Sequence, residues 1–138
     1  MKNKVACFSS GRDDWKTPKA LYKSLNEEFA FDFDPCPQYP PFDGLHIDDW
    51  GQRNFINPPF GNWQRWIEKG FEEFQKGKLC VFLLASRTDT KMFHEIILPY
   101  ATEIRFIKGR LRFDDRNPAP FPSMVVIFNP QAGSVTQE

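Results

Sequence analysis

The order of apolar segments along this sequence predicts an α/β domain with a mostly parallel sheet flanked by helices. Five short apolar segments have the length of β-strands, and three segments with apolar residues at helical spacing alternate with them. The segment 79–85 is apolar at every position, which is typical of a strand buried on both faces of a parallel sheet. Strands and helices that alternate in this way indicate a doubly wound sheet.

The first elements follow a polar amino-terminal stretch. Residues 1–14 lack periodicity, so we expect a flexible arm there, a single domain over 15–130 and a frayed tail over 131–138. Thr17 and Pro18 favour a helix start, with Thr17 as the N-cap and Pro18 at the first helical position. The apolar face of this helix is Leu21, Tyr22, Leu25 and Phe29.

A short strand over 31–34 is expected next, ending in the acid Asp34 and a turn at 35–37. Residues 38–53 contain several prolines and acids and predict a long loop with no regular element. A loop of this length in a compact domain is usually functional.

The second half of the chain continues the alternation. Asn62 can cap a helix that ends at Gly77, and a later helix is expected to stop at Pro99. Further strands are expected at 104–107 and 123–128. The apolar residues of the two helices are Trp63, Trp66, Ile67, Phe71 and Phe74, and then Met92, Phe93, Ile96 and Ile97.

Composition limits the classes of protein that this chain can be. With 138 residues, 41% of them apolar and 16% aromatic, the chain is long enough for one packed domain. Eighteen basic and eighteen acidic residues cancel, so there is no overall charge to attract a polyanion. If nucleic acid is the partner, the basic residues must be concentrated locally.

The cysteines and the hydropathy favour a location inside the cell. Cys7, Cys36 and Cys80 are odd in number and form no CxxC pair, which fits a reducing compartment and offers no zinc site. Neither a signal peptide nor an apolar run of membrane length is present, so we expect a soluble cytoplasmic protein with no membrane partner.

The most informative stretch is 54–61, where a short strand runs into Asn57, Pro58, Pro59, Phe60 and Gly61. Two consecutive prolines remove two backbone donors and keep the preceding residue extended. The turn should therefore present an amide oxygen, backbone carbonyls and an aromatic face. A simple Asn-initiated proline turn is the alternative interpretation.

This set of groups suits a planar ring that carries an exocyclic amine. The ring can stack on Phe60, while the amine donates its hydrogens to the Asn57 side-chain oxygen and the Pro58 carbonyl. Such bonds favour an amine that becomes tetrahedral and cationic, so they lower the barrier to attack by nitrogen.

Polar clusters fall at three predicted strand ends: Asp34 with 35–36, the Asn57 turn, and the loop 86–89. Ligands of doubly wound sheets bind beyond the carboxyl ends of the strands. Asp34 can accept hydrogen bonds from a hydroxyl or amine of a small molecule, although a turn-capping Asp before proline is the simpler alternative. The residues that could close such a pocket from above are Trp15, Thr17 and Pro18.

Two further groups of residues are candidates for binding. His46, Asp48 and Asp49 with Asp34 could bind a divalent cation, but their spacing matches no known metal geometry, so we expect no metal. The segment 105–112 holds four cations and no acid, and a half-exposed strand with Arg105 outward and Phe106 inward is its alternative interpretation. The cations that could contact phosphates are Arg87, Lys91, Arg105, Lys108, Arg110, Arg112 and Arg116.

With these motifs in order, the chain resembles the phage-type DNA N6-adenine methyltransferases, a family related to the Dam enzymes. The resemblance covers about 15–128 and comprises five motifs. These are W-K-T-P (15–18), F-D-F-D-P (31–35), N-P-P-F-G followed by W-x-x-W (57–66), S-R-T-D-T with Phe93-His94, and G-R-L-R-F (109–113). The resemblance implies a Rossmann-like methyltransferase fold, S-adenosylmethionine as methyl donor and a flipped adenine in DNA as acceptor.

Carried over by position, the resemblance implies three groups of site residues. The first, which holds the target adenine, is Asn57, Pro58, Pro59 and Phe60. The second, which lines the cofactor pocket, is Trp15, Thr17, Pro18, Asp34, Pro35, Cys36 and Asn57. The third, which lies near DNA, is Arg87, Asp89, Lys108, Arg110 and Arg112.

Two departures from the family pattern change what is expected. Proline and cysteine follow Asp34 where a methyltransferase often has glycines, so the methionine end of the cofactor must be held differently. Only the 22 residues 35–56 separate Asp34 from Asn57, too few for two further strand–helix units. The sheet should therefore be truncated, without a separate recognition domain, and a second subunit could assist.

Other functions stay open on the sequence alone. The same chemistry could act on an RNA adenine or a protein glutamine. A non-catalytic nucleic-acid-binding module that no longer binds the cofactor is a further alternative. A nuclease that uses a metal on Asp34, His46 and Asp48 is the most distant one. A phage or prophage protein acting in the bacterial cytoplasm is the favoured interpretation.

Overall fold

The computed structural model describes residues 16–37, 42–113 and 117–131. The predicted arm over 1–14, Trp15, Arg116 and nearly all of the predicted tail lie outside these ranges. No helix within them is long and apolar enough to cross a membrane.

A four-stranded sheet and two main helices form the described part of the fold. The helices and strands are α1 (Lys19–Phe29), β1 (Arg53–Ile56), α2 (Trp63–Gln75), β2 (Leu79–Ala85), α3 (Leu98–Tyr100), β3 (Glu103–Phe106) and β4 (Ser123–Phe128). Short 3-10 helices lie at Gly44–His46 and Phe60–Asn62, and a π-helical turn at Phe93–Ile97 leads directly into α3.

The strand order is β1-β2-β4-β3. β1 and β2 are parallel, whereas β4 is antiparallel to both of its neighbours. The α/β class is confirmed, but among the described strands the expectation of a mostly parallel pairing is wrong, because the last strand inserts in the opposite direction. β1, β2 and β3 nevertheless all point the same way.

The two long helices cover opposite faces of the sheet. Tyr22 of α1 packs edge-on against Phe55, with ring centroids 5.2 Å apart. Gly70 of α2 lies so close to Phe82 that a Cβ there would meet its ring at 2.4 Å. Phe82 pairs with Ile56, and Ile56 points away from the face of Phe55. Every residue of β2 and β4 is therefore buried, as the apolar run 79–85 predicted.

Three predicted element boundaries differ in the structure. The first helix begins at Lys19 with Pro18 as its N-cap and no side-chain cap bond, so the prediction of Thr17 as N-cap is wrong. The segment 31–34 forms only one bridge, Phe33 to Asn54, because its hydrogen bonds to β1 end there. Pro99 lies inside α3 instead of ending it, since the preceding π turn bonds Leu98 N–H to Phe93 O and bypasses the usual ladder.

The long loop before β1 is anchored by a buried carboxylate. Glu73 of α2 is fully buried and accepts hydrogen bonds from Lys69, Lys76, Lys78 and the Trp50 backbone N–H, all between 2.9 and 3.0 Å. The Trp50 side chain is buried beside Trp66. Burial raises the pKa of Glu73, but the three lysines and the amide outweigh it and hold the pKa at about 2. Part of the loop is therefore core structure.

Replacing Glu73 should destabilise the fold without touching the candidate site. Glu73→Gln leaves the buried Lys78 ammonium with only the exposed Asp49 carboxylate, at 3.3 Å, as counter-ion, so we expect the free energy of unfolding to fall by about 2–4 kcal/mol. Urea unfolding followed by circular dichroism measures it, with Glu72→Gln, an exposed neighbour on the same helix, as control.

The pH dependence of the free energy of unfolding provides a second test of the Glu73 carboxylate. Because the folded pKa lies below the ordinary value of 4.5, the stabilisation is present above that pH and is lost as the pH falls towards 2. Equal unfolding midpoints for the two variants would show that the network contributes nothing.

Candidate active site

One edge of the sheet gathers most of the predicted site. Because β1, β2 and β3 point the same way, Asn57, Ser86 and Ile107 follow their strands at that edge. Asp34 lies at the same edge, since the 31–33 segment bonds in parallel to β1. The structure therefore brings together the strand ends that the sequence predicted to converge.

The turn after β1 is extended and well packed. Pro58 and Pro59 are buried, and Pro59 adopts φ −70° and ψ 149°, which carries the chain away from β1. Asn62 N–H donates to Pro59 O at 3.3 Å and closes the 3-10 turn that begins at Phe60. Stacking by the Phe60 ring stays a prediction.

The side chain of Asn57 is partly buried and held from a distant part of the chain. Its Nδ2 donates to the Thr17 hydroxyl oxygen at 2.9 Å. Thr17 and Pro18 are also partly buried, directly ahead of α1. Of the three residues expected to close the pocket, Thr17 thus contacts the turn, through a hydrogen bond that sequence reasoning did not foresee.

Asp34 is a perturbed carboxyl beside this turn. Its Oδ1 accepts the Cys36 backbone N–H at 2.8 Å, which closes the chain into a tight turn after the strand. Burial raises the pKa of Asp34 to about 6, and the Cys36 bond offsets only part of that effect. A carboxyl whose charged form is disfavoured by its surroundings is typical of a functional site.

Tyr22 is a neighbour of Asp34 that sequence reasoning missed. Its pKa is raised by burial and, to a smaller extent, by the negative charge of Asp34, so its phenol lies within electrostatic range of the carboxyl. On the sequence Tyr22 belonged only to the apolar face of α1. The signal that could have revealed this proximity was the position of Asp34 at the end of a strand that the apolar face of α1 was expected to cover.

The turn after Asp34 is shaped by close backbone packing. Pro35 and Cys36 are buried, and Gly44 approaches Pro35 so closely that a Cβ on Gly44 would meet the Pro35 carbonyl oxygen at 1.9 Å. Gly44 is therefore required by packing, which the sequence did not reveal. Cys80 is a buried thiol.

The loop after β2 presents Arg87 and Asp89 to solvent at the same edge. Thr90 fixes it, accepting the Phe93 N–H at 3.2 Å and donating to Arg87 O at 2.9 Å. His94 Nε2 contacts Thr88 O at 2.8 Å. Thr90 therefore caps the helical turn that follows.

The predicted basic segment divides into two parts. Arg105 is bound to Glu28 and Glu103 at 2.7 Å, so it is not an open phosphate contact. The expected directions are wrong, because Arg105 lies on the face covered by α1 whereas Phe106 is 62% exposed. The exposed cations that remain beyond β3 are Lys108, Arg110 and Arg112.

The residues of the metal alternative form no metal site within the described ranges, and one cavity lies away from this edge. Within the described ranges, no group of three or more potential ligands could hold a metal ion. His46, one of the proposed ligands, instead bonds Asp43 at 2.6 Å. A cavity of about 280 Å³ lies at the opposite edge, between Glu28, Gln52 and Asn129, away from the Asn57 turn.

These features define an α/β protein with a polar candidate ligand site at the carboxyl edge of its sheet. The model of the family DNA N-6-adenine-methyltransferase (Dam) matches residues 5–136, nearly the whole chain. The chain therefore belongs to this family of DNA adenine methyltransferases, as its motifs predicted. A comparison with curated proteins found no match.

Proposed function

We propose that this protein transfers a methyl group from S-adenosylmethionine to the N6 amine of adenine in DNA. The observation that carries this function is the amide of Asn57, held at the carboxyl edge of the sheet beside the perturbed carboxyl of Asp34, in a chain of the Dam family. We assign the protein to the phage or prophage type, with a truncated Rossmann-like sheet, acting in the bacterial cytoplasm.

The residues of the Asn57 turn explain how the amine would be activated. S-adenosylmethionine supplies an electrophilic methyl group on sulfur. The Asn57 side-chain oxygen and the Pro58 carbonyl accept the two amine hydrogens, which stabilises positive charge developing on nitrogen. The amine nitrogen forms the new bond to carbon, the carbon–sulfur bond breaks with its electrons on sulfur, and the amine then releases one proton to solvent.

The donor set near Asp34 fits the proposed cofactor. An acid at a strand end accepts hydrogen bonds from ribose hydroxyls in doubly wound folds. Asp34 occupies such a position, and Tyr22 can supply an apolar ring next to it. Pro35 and Cys36, which follow Asp34, are buried beneath this proposed cofactor site.

The exposed cations fit DNA as the substrate. Arg87 lies beyond β2, and Lys108, Arg110 and Arg112 lie beyond β3, which places positive charge along the edge that holds the Asn57 turn. Asp89 accompanies them on the β2 loop. An adenine must leave the duplex to reach a turn of this kind, so the target is a flipped base. A homodimer, in which a second copy binds the opposite strand, is compatible with this arrangement.

A labelled-methyl assay tests the function directly. Purified protein with tritiated S-adenosylmethionine should label adenine-containing DNA, and the label should co-migrate with N6-methyladenine after digestion. Equal concentrations of RNA and of a glutamine-containing peptide serve as competing acceptors. Preferential labelling of either, or absence of label on any acceptor with protein shown to be folded, would refute the assignment.

A further inference from the structure

Thr17 contacts the proposed catalytic amide although 40 residues separate the two in sequence. The bond from Asn57 Nδ2 to Thr17 Oγ1 is 2.9 Å long, a normal hydrogen-bond length. The N-cap of α1 is Pro18 and not Thr17, and no side-chain cap bond is made there. The contact is therefore not a by-product of helix capping.

The backbone around Thr17 is suited to holding its hydroxyl in one place. Pro18 fixes its own φ at −60° and keeps the preceding residue out of the helical conformation. Tyr22 N–H donates to Pro18 O at 3.0 Å, so the segment is attached to the first turn of α1. The backbone that carries Thr17 is consequently held in one position relative to α1.

An asparagine amide is nearly symmetrical in shape, but its two ends are chemically opposite. Nδ2 only donates, whereas Oδ1 only accepts. When Nδ2 donates to Thr17, Oδ1, which is the other terminal atom of the amide, points away from Thr17. A rotated amide would direct donor hydrogens at the target amine, which itself offers hydrogens.

We propose that Thr17 is a positioning residue that orients the Asn57 amide so that its oxygen faces the target amine. This role rests on the proposed function and differs from that of a pocket wall. A wall residue would affect cofactor affinity. A positioning residue affects the chemical step, because misorientation of a reacting group lowers the rate while binding persists.

Hydroxyl-removing and hydroxyl-retaining variants distinguish these roles. We expect Thr17→Val, which keeps the shape but loses the acceptor, to lower kcat by about 10- to 100-fold. Its dissociation constant for S-adenosylmethionine and its KM for DNA should stay within about threefold of wild type. Thr17→Ser should retain most of the rate. Ser24→Ala, on the exposed side of α1, is the matched control.

The outcomes separate this role from the proposed function. Loss of cofactor affinity with unchanged kcat in Thr17→Val would make Thr17 a pocket wall and overturn the positioning role. Impairment of Thr17→Ser with Thr17→Val at the wild-type rate would assign the effect to packing of the methyl group and overturn the positioning role. Thr17→Ala, with less side-chain volume, replaces Thr17→Val if that variant does not fold. A folded wild-type protein without transfer would overturn the function and the role together.

Discussion

Asn57→Ala is expected to lower methyl transfer by at least about 10²- to 10³-fold, with the fold retained. The substitution removes the oxygen that we propose accepts one hydrogen of the target amine, and loss of one preorganised group at a developing charge has an effect of this size. The Pro58 carbonyl remains, which leaves residual activity. Single-turnover transfer to an adenine-containing duplex measures the chemical step separately from product release.

The control for this variant lies five residues along the chain. Asn62 is also partly buried, and as the N-cap residue of α2 it makes no side-chain cap bond. Asn62→Ala should therefore transfer methyl at close to the wild-type rate. Circular dichroism and S-adenosylmethionine titration establish that both variants are folded and bind the cofactor. A folded Asn57→Ala protein with the full rate would refute the mechanism assigned to the turn.

The sequence predicted the sheet better than it predicted side-chain direction. The apolar run 79–85 and the strand over 123–128 are confirmed residue by residue. Such runs are buried on both faces, so their prediction did not depend on which face is covered. The pairing direction of β4 was missed, because a fully apolar strand has the same pattern in either direction.

The wrong predictions of side-chain role and direction concern residues that contact a distant part of the chain. Thr17 has the sequence signature of an N-cap, but its hydroxyl binds Asn57 instead. Arg105 and Phe106 alternate as predicted, but the covered face is that of Arg105, because Glu28 at the end of α1 pairs with it. Local patterns show that neighbouring residues differ in direction, but they do not show which direction another element covers.

The candidate site was located by its turn chemistry. The Asn57 turn and Asp34 could be found from prolines and an acid at strand ends, since these residue types determine local backbone geometry. Tyr22 and Gly44 could not, because their relevance depends on distances across the fold. The roles of Phe60, Arg87 and the basic residues beyond β3 stay predictions.

Asp34→Asn is expected to stabilise the fold while it weakens cofactor binding. The folded pKa of Asp34 is raised to about 6 from an ordinary 3.8, mainly by burial. A raised pKa means that the stability contributed by the protonated form is present below about pH 4 and is lost as the pH rises through 6. At pH 7 the charged carboxyl therefore costs up to about 3 kcal/mol, reduced by its partial exposure.

The neutral amide removes that cost, so we expect the free energy of unfolding at pH 7 to rise by about 1–2 kcal/mol. The same change weakens the proposed acceptor for ribose hydroxyls, and S-adenosylmethionine affinity should fall by about tenfold or more. In the wild-type protein, affinity should increase between pH 5 and pH 7 as Asp34 loses its proton. This increase should be absent in Asp34→Asn.

Urea unfolding and calorimetric titration measure the two effects on one sample, with the exposed Asp48→Asn as control. Stabilisation without loss of cofactor affinity would remove Asp34 from the binding site and leave it a strained turn residue. Loss of affinity with lower stability would mean that the substituted amide cannot accept the Cys36 N–H as the carboxylate does. Higher stability together with lower cofactor affinity in Asp34→Asn is the result that supports our interpretation. In that interpretation the charged Asp34 carboxyl destabilises the fold but is needed to bind the cofactor.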